Sequence, residues 1–366
     1  MIAAKNFSNT LLKENINFIT GVPDSVLKNM IFSFDKNKKF KHMPANNEGT
    51  AVALAIGHNL STKKMAAVYF QNSGLGNAIN PLISIAHQKV YSIPMVLIIG
   101  WRGSPNKPVD EPQHSVKGKI TKQILKLLNI KYCIIRKKKD LNKLKDLIKL
   151  SKKNKKPVAC LVEKGTLENQ SNKNKKKSKK KYLLRHEIIL DLLNKIKPST
   201  KIISTTGYTS RELYQLRNTY NISKGSDFYM VGGMGHSAMV SVGVALSTRN
   251  EIICLDGDGS ILMHLGSLSL IRGSNNKNFK HILLNNSSHE SVGGQKTPAN
   301  KINFKLLTSS LGYKNYFFAS NKKNYNTNIN KFLKSKGPSF FEIRIEEGSI
   351  KNLLRPNNLK KIKNKF

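Results

Sequence analysis

Residues 251–259, EIICLDGDG, and 281–286, HILLNN, decide how this chain is read. Each begins as a short apolar run of strand length and breaks into glycine or polar residues at its C-terminal end. Asp258 stands between Gly257 and Gly259 at the end of the first run, and Asn285 ends the second, 27 positions further on. A carboxylate and an amide oxygen at the ends of adjacent strands are hard ligands of the kind that Mg²⁺ or Ca²⁺ takes. The glycines let backbone N–H groups approach an anion, and a helix predicted to begin near Ser260 adds its positive end. Mg²⁺ keeps few protein ligands and completes its octahedron on phosphate oxygens, so the pair implies a diphosphate as third party. An aspartate–glycine turn after a strand is common alone; its coupling to Asn285 at this distance is not.

Working outward, the same texture repeats on both sides of a lysine-rich stretch. Strand-like runs come first at 17–20 (NFIT), 66–70 (AAVYF), 94–100 (PMVLIIG), 131–136 (KYCIIR) and 157–163 (PVACLVE). They resume at 201–207 (KIISTTG), 227–232 (DFYMVG), in the two runs above, and at 339–345 (SFFEIRI). Helix-length segments separate them. The pattern predicts an α/β fold with two domains, 1–165 and 183–366, each a parallel sheet covered by helices on both faces. A linker at 166–182 joins them: between Asn172 and Lys181 lie seven lysines and no apolar residue, so nothing there can be buried. Polar and glycine-rich clusters follow the strands directly, as in GVPDS (21–25), QNSGLGN (71–77), GWRG (100–103), STTGYT (204–209) and GGMGHS (232–237). Ligands of parallel sheets bind at these carboxyl ends.

The 366 residues carry 63 lysines and arginines against 21 acidic residues, a formal net charge of +42. The lysines are spread through every segment and no basic stripe carries interleaved aromatics, so the charge reads as solvated surface rather than a nucleic-acid footprint. Nucleic-acid and membrane partners are not expected. Cys133, Cys160 and Cys254 each sit in an apolar run, the pattern of buried reduced thiols. The N-terminus lacks a secretory signal pattern and the longest apolar run, around Ile93 to Trp101, is too short to span a bilayer. A soluble, cytoplasmic protein is expected.

In NNEGTAVALAIG (46–57), Glu48 precedes an apolar, alanine-rich helix. It could simply cap that helix; set among Ala51, Val52 and Ala53, desolvation should also raise its pKa.

The GDG-to-NN spacing resembles that of the thiamin-diphosphate enzyme superfamily. That resemblance implies thiamin diphosphate and Mg²⁺ as cofactors, the metal held by Asp258, Asn285 and the carbonyl of Ser287. It implies that Gly257, Gly259 and Ser260 line the diphosphate, with Thr206 and Gly207 donating beside it. Glu48 matches the glutamate that activates the aminopyrimidine ring. Met234 matches the wedge that bends the cofactor, with the Gly232 carbonyl accepting from the amino group and His236 holding the turn. QNSGLGN, with Asn72, matches the loop on the pyrimidine and substrate side. The first domain corresponds to the pyrimidine-binding (PYR-type) domain and the second to the diphosphate-binding (PP-type) domain. In this family the two halves of a site come from different subunits, which implies a homodimer or higher oligomer with the active site at the subunit interface.

The two-domain layout, with no room for a central third, is similar to that of the phosphonopyruvate and sulfopyruvate decarboxylases. Residues 21–28 (GVPDSVLK), 100–118 (GWRGSPNKPVDEPQHSVKG) and 285–295 (NNSSHESVGGQ) look like the phosphonopyruvate branch. The implied substrate is a small 2-oxoacid, 3-phosphonopyruvate, giving phosphonoacetaldehyde and CO₂; sulfopyruvate or another small 2-oxoacid is the alternative. Arg102, in a glycine-flanked loop, is a fork donor suited to phosphonate or carboxylate. Asp24 and His114 match residues near the reacting carbon, though Asp24 is also placed to cap a helix. His114, after DEPQ, is expected in a loop. His289 and Glu290 follow the metal loop and are expected to face the substrate, with Glu290 standing where the family carries aspartate.

Overall fold

The computed structural model describes residues 1–105, 111–168, 182–274 and 276–366. The chain forms two compact units, Met1–Lys175 and Lys176–Phe366.

The first unit is built on six parallel strands: β1 (Phe18–Gly21), β2 (Lys41–Pro44), β3 (Ala66–Gln71), β4 (Met95–Trp101), β5 (Lys131–Ile135) and β6 (Val158–Glu163). They lie in the order β2-β1-β3-β4-β6-β5. Every residue of β4 and β6 is buried, as continuous apolar strands covered on both faces must be. On one face Ile19, Ala67, Tyr69, Val96, Ile98 and Cys160 pack against Phe7, Leu11 and Phe34 from helices. Each such side chain contributes roughly 1.5–3 kcal/mol by leaving water.

The second unit repeats the plan with β7 (Lys201–Ser204), β8 (Ser226–Tyr229), β9 (Ile252–Gly257), β10 (Phe279–Asn285), β11 (Asn315–Ala319) and β12 (Ser339–Arg344). Its order is β11-β12-β10-β9-β7-β8. Numbered from its own first strand, each sheet therefore reads 2-1-3-4-6-5, so the two units share one topology. The two-residue period of strands sorts side chains between two cores. Ile202, Ile253, Leu255, Ile282, Leu284 and Phe341 face Leu192, Leu213 and Phe332, whereas Ile203, Cys254, Leu283 and Phe340 face Ala238, Ile271 and Phe304.

The structure departs from the sequence reading in four places. The first unit runs on into the expected linker: Leu167 bridges Ile2, and the Thr166 hydroxyl donates to the Ile135 carbonyl. The lysine-rich remainder, 169–181, lies outside the described residues, as does Asp110 of the DEPQ stretch. His114 sits in the first turn of the helix Pro112–Leu127 rather than in a loop, because Pro112 supplies a preset φ where no N–H is needed. The helix expected near Ser260 starts two residues earlier, at Asp258. Cys133, on edge strand β5, is half-buried; Cys160 and Cys254 are buried, and all three thiols are free. Among the described residues no helix is long and apolar enough to cross a membrane.

Candidate active site

In the first unit, four neighbouring strands (β2, β1, β3, β4) deliver the predicted residues at their carboxyl ends. Asn47 caps the helix Glu48–Thr62, its side chain accepting from the amides of Gly49 (2.8 Å) and Thr50 (3.4 Å). Glu48 is thus freed from capping and turned inward, with 5% of its surface exposed. Asn77 Nδ2 donates to Glu48 Oε2 at 2.7 Å. A Cβ on Gly74 would lie 2.1 Å from Glu48 Oε1, so only glycine leaves space for the carboxyl there. Burial pushes the Glu48 pKa up, with the Asn77 hydrogen bond opposing. The expected effect is present, and its source is partly corrected: Ala51 and Val52 are buried, Ala53 is exposed, and Gly74 and Asn77, in the helical segment that follows β3 where a loop was expected, close over the carboxyl.

Asp24 is fully buried, and both carboxylate oxygens are engaged. Oδ2 accepts from the Val26 and Leu27 amides at 3.0 and 3.1 Å, while Oδ1 accepts from Gln71 Nε2 at 2.7 Å. Its pKa is raised, desolvation outweighing these bonds. Asn72 spends its amide on the chain itself: Nδ2 donates to the Arg102 carbonyl and to Thr121 Oγ1, each at 3.0 Å, and Oδ1 accepts from the Arg102 amide at 3.1 Å. The geometry makes Asn72 a bracket for the Arg102 loop rather than the substrate contact expected. The Arg102 guanidinium lies 3.6 Å from Glu111. Gly103 and Gly118 let this loop touch the helix bearing His114, since a Cβ at Gly103 would meet the His114 carbonyl at 1.8 Å. Arg102, Glu111 and His114 are brought together in this way.

In the second unit, the register places Gly257 opposite Leu284, so Asp258 and Asn285 leave adjacent strands side by side. Asp258 is 3% exposed and has no cationic partner among the described residues. Burial pushes its pKa up to about 6, against hydrogen bonds from Thr297 Oγ1 and the amides of Ser288 and Asn286. Asn285 Oδ1 accepts from the Ser287 amide at 3.1 Å, and Ser287 takes a left-handed φ of +53°. The Ser287 carbonyl accepts from the Thr297 amide. Ser260 Oγ accepts from Thr205 Oγ1 (2.8 Å) and the Gly235 amide (3.1 Å), tying together the loops that follow β7, β8 and β9. Thr206 and Met234 are half-buried beside them. Gly207, at φ +93°, caps the helix Tyr208–Thr219 and a Cβ there would meet Ser291 Oγ at 3.1 Å. In the glycine turn 232–236, Gly233 and Gly235 take φ of +62° and +88°, and exposed His236 stacks on His264 at 4.4 Å between centroids.

His289 packs over Gly259, where a Cβ would lie 2.6 Å from its ring. Burial lowers its pKa to about 4, so it is a neutral imidazole at pH 7. Glu290 is held on both carboxylate oxygens. One oxygen pairs with Arg185 Nη2 at 2.5 Å and accepts from Asn286 Nδ2 at 3.0 Å; the other accepts from the Gly348 amide at 2.6 Å. These bonds anchor the loop that follows Asn285. Sequence reasoning missed Thr297, Thr205, Gln71 and Asn77. Gln71 and Asn77 lie within QNSGLGN and Thr205 within STTGYT, whereas Thr297 lies in no glycine-rich cluster after a strand.

These residues fit the implied groups. An enclosed carboxylate with no cationic partner among the described residues, an amide oxygen and a main-chain carbonyl form a hard donor set suited to Mg²⁺. The glycine turns after β7 and β8, at positive φ, let the main chain come close to an anion such as a diphosphate. Residues 1–124 match the family of thiamine pyrophosphate enzymes' N-terminal TPP binding domain, and 205–343 match the C-terminal TPP binding domain. Two such domains in one chain, with this site, define a thiamine-pyrophosphate enzyme. A phosphonopyruvate decarboxylase of Streptomyces hygroscopicus is 32% identical over 372 residues, covering 97% of this chain and 90% of the relative. One from Streptomyces viridochromogenes is 31% identical over 97% of this chain and 91% of its own. A sulfopyruvate decarboxylase of Methanosarcina acetivorans is 25% identical over 91% of this chain and 89% of its own. The chain belongs to the phosphonopyruvate decarboxylase family of thiamine-pyrophosphate enzymes.

Proposed function

We propose that the chain decarboxylates 3-phosphonopyruvate to phosphonoacetaldehyde and CO₂, with the pyrimidine-binding role in the first domain and the diphosphate-binding role in the second. The observation that carries the reading is a buried Asp258 beside Asn285 in a chain collinear with phosphonopyruvate decarboxylases over 97% of its length. When bound, thiamine pyrophosphate supplies the electron sink for the departing carboxylate's electron pair. Asp258, Asn285 and the Ser287 carbonyl would hold Mg²⁺ and thereby the diphosphate. Thr206, Gly207, Gly257, Gly259 and Ser260 would line it. Gly232 and Met234 would support the ring system.

Glu48 holds its proton more tightly than an ordinary carboxylate and offers it to the aminopyrimidine, the direction of shift that proton traffic at neutral pH requires. The Arg102 guanidinium would grip an anionic end of the substrate, with Glu111 released in exchange. Asn72 positions that loop from behind. Asp24 and His114 stand near the expected substrate side, and neutral His289 can donate or accept one hydrogen bond there. In the overall change, the bond between the carboxylate and ketone carbons breaks and its electron pair stays on the ketone carbon. A proton from water then completes the aldehyde. We place Glu48 and Asp258 of one working site on different subunits, making the enzyme a homodimer or higher oligomer.

The test is aldehyde formation from phosphonopyruvate, sulfopyruvate and pyruvate, each with and without thiamine pyrophosphate and Mg²⁺. Cofactor-dependent turnover strongly favouring phosphonopyruvate is expected. A preference for sulfopyruvate would keep the class and overturn the substrate; no turnover with any of them would overturn the reading as a whole.

A further inference from the structure

Asn285 carries an oxygen and a nitrogen of nearly equal size at its tip, and only the oxygen can hold a metal. Something must fix which one faces the site. The parallel register of β10 and β12 puts Glu342 opposite Leu283, two residues before Asn285. Asn285 Nδ2 donates to Glu342 Oε1 at 3.0 Å, and both residues are buried, at 1% and 3% exposure. A carboxylate accepts and cannot donate, so the bond has one sense: nitrogen toward Glu342, oxygen away from it. Oδ1 is left with the Ser287 amide at 3.1 Å and the Ser287 hydroxyl at 3.2 Å, on the side of the proposed metal ligands. Glu342 is itself held. Arg344 Nη2 meets Oε1 at 2.9 Å, and Tyr316 on β11 donates its hydroxyl to Oε2 at 2.7 Å. Three strands therefore converge on the orientation of one amide.

We propose that Glu342 is the positioning residue that sets the Asn285 amide oxygen toward the divalent cation, an inference that rests on the metal site read above. Its counterpart as a purely structural residue would tie β10, β11 and β12 together and leave metal affinity unchanged in any variant that folds. The two roles separate by experiment. Mn²⁺ binding to the full-length, cofactor-stripped enzyme is followed by electron paramagnetic resonance with thiamine pyrophosphate present, alongside urea unfolding without metal. Glu342→Gln permits either amide orientation, and Glu342→Asp withdraws the acceptor by one methylene. Each is expected to weaken Mn²⁺ binding by about 10–100-fold, the usual cost of losing an outer-shell partner, while the urea midpoint moves little. Adding Asn285→Asp to Glu342→Gln should recover much of the affinity, because the introduced amide can donate to the introduced carboxylate. Unchanged Mn²⁺ affinity in whichever single variant folds would overturn the proposal. Failure of the wild-type protein to bind Mn²⁺ would overturn the metal-site reading and this inference with it.

Discussion

Glu48 shows how one buried carboxyl can oppose stability and serve chemistry together. Its folded pKa lies above the ordinary value of 4.5 because burial penalises the charged form. The native chain then holds this proton more tightly than the unfolded chain does. Relative stability therefore falls as pH rises from the ordinary carboxylate range, and the deficit is complete once pH exceeds the folded pKa. Glu48→Gln removes the charge and keeps the shape. The cofactor-free variant should unfold at higher denaturant than wild type at pH 7–8, with the gain vanishing as pH falls toward 4.5, while decarboxylation drops by about 10²–10⁴-fold. Urea titrations across pH and steady-state rates check both halves; wild-type turnover in the variant would remove Glu48 from the mechanism. Much at this scale was legible, since a glutamate ahead of an alanine-rich helix stands out. The sources of its burial do not: Gly74 and Asn77 come from the helical segment after β3, and no local pattern announces which glycine meets which carboxyl. The Glu290–Arg185 pair was hidden for the same reason, its partners lying 105 positions apart.

Elements were read most securely where they are most buried. β4, β6, β9 and β10 are buried along nearly their whole length, and each carries a continuous apolar run, because helices cover both faces. The two strands that escaped the sequence reading, β2 and β11, are edge strands. β2 reads KHMP and is largely exposed, so burial writes no apolar run into it. Its proline, Pro44, sits at the end of an edge, where a missing N–H costs little. The loops after the strands could be found from their glycines, but their mutual contacts belong to topology. The short turn Asn72–Gly74 after β3 is the sharpest case, because it presses on Glu48 across from β2. Gly74→Ala would bring a methyl within 2.1 Å of the carboxylate, and main chain cannot yield as a flexible side chain can. The expected result is a folded protein, weakened by about 1–3 kcal/mol from overpacking, whose kcat falls far more than that loss implies because Glu48 is turned aside. Circular dichroism melting beside kcat measurement checks this, and a wild-type kcat would show that Glu48 works from elsewhere.

At the scale of the whole molecule, two units with the same 2-1-3-4-6-5 strand order hold complementary halves of the chemistry. The first carries Glu48, and the second carries Asp258 and Asn285 side by side at the ends of β9 and β10. Neither half can decarboxylate alone on the proposed mechanism. If each working site draws Glu48 from one subunit and Asp258 from its partner, two dead variants can mend each other. In a mixed dimer of Glu48→Gln and Asp258→Ala chains, one site receives both defects and the other receives neither. Symmetric mixing then makes half the dimers mixed and half their sites intact, which predicts about a quarter of wild-type activity from two inactive proteins. Co-expression with different affinity tags, or unfolding and refolding together, supplies the mixture, and each variant alone sets the baseline. Sites completed within one subunit would give no recovery, because every chain carries one lesion; recovery near a quarter would require the shared arrangement.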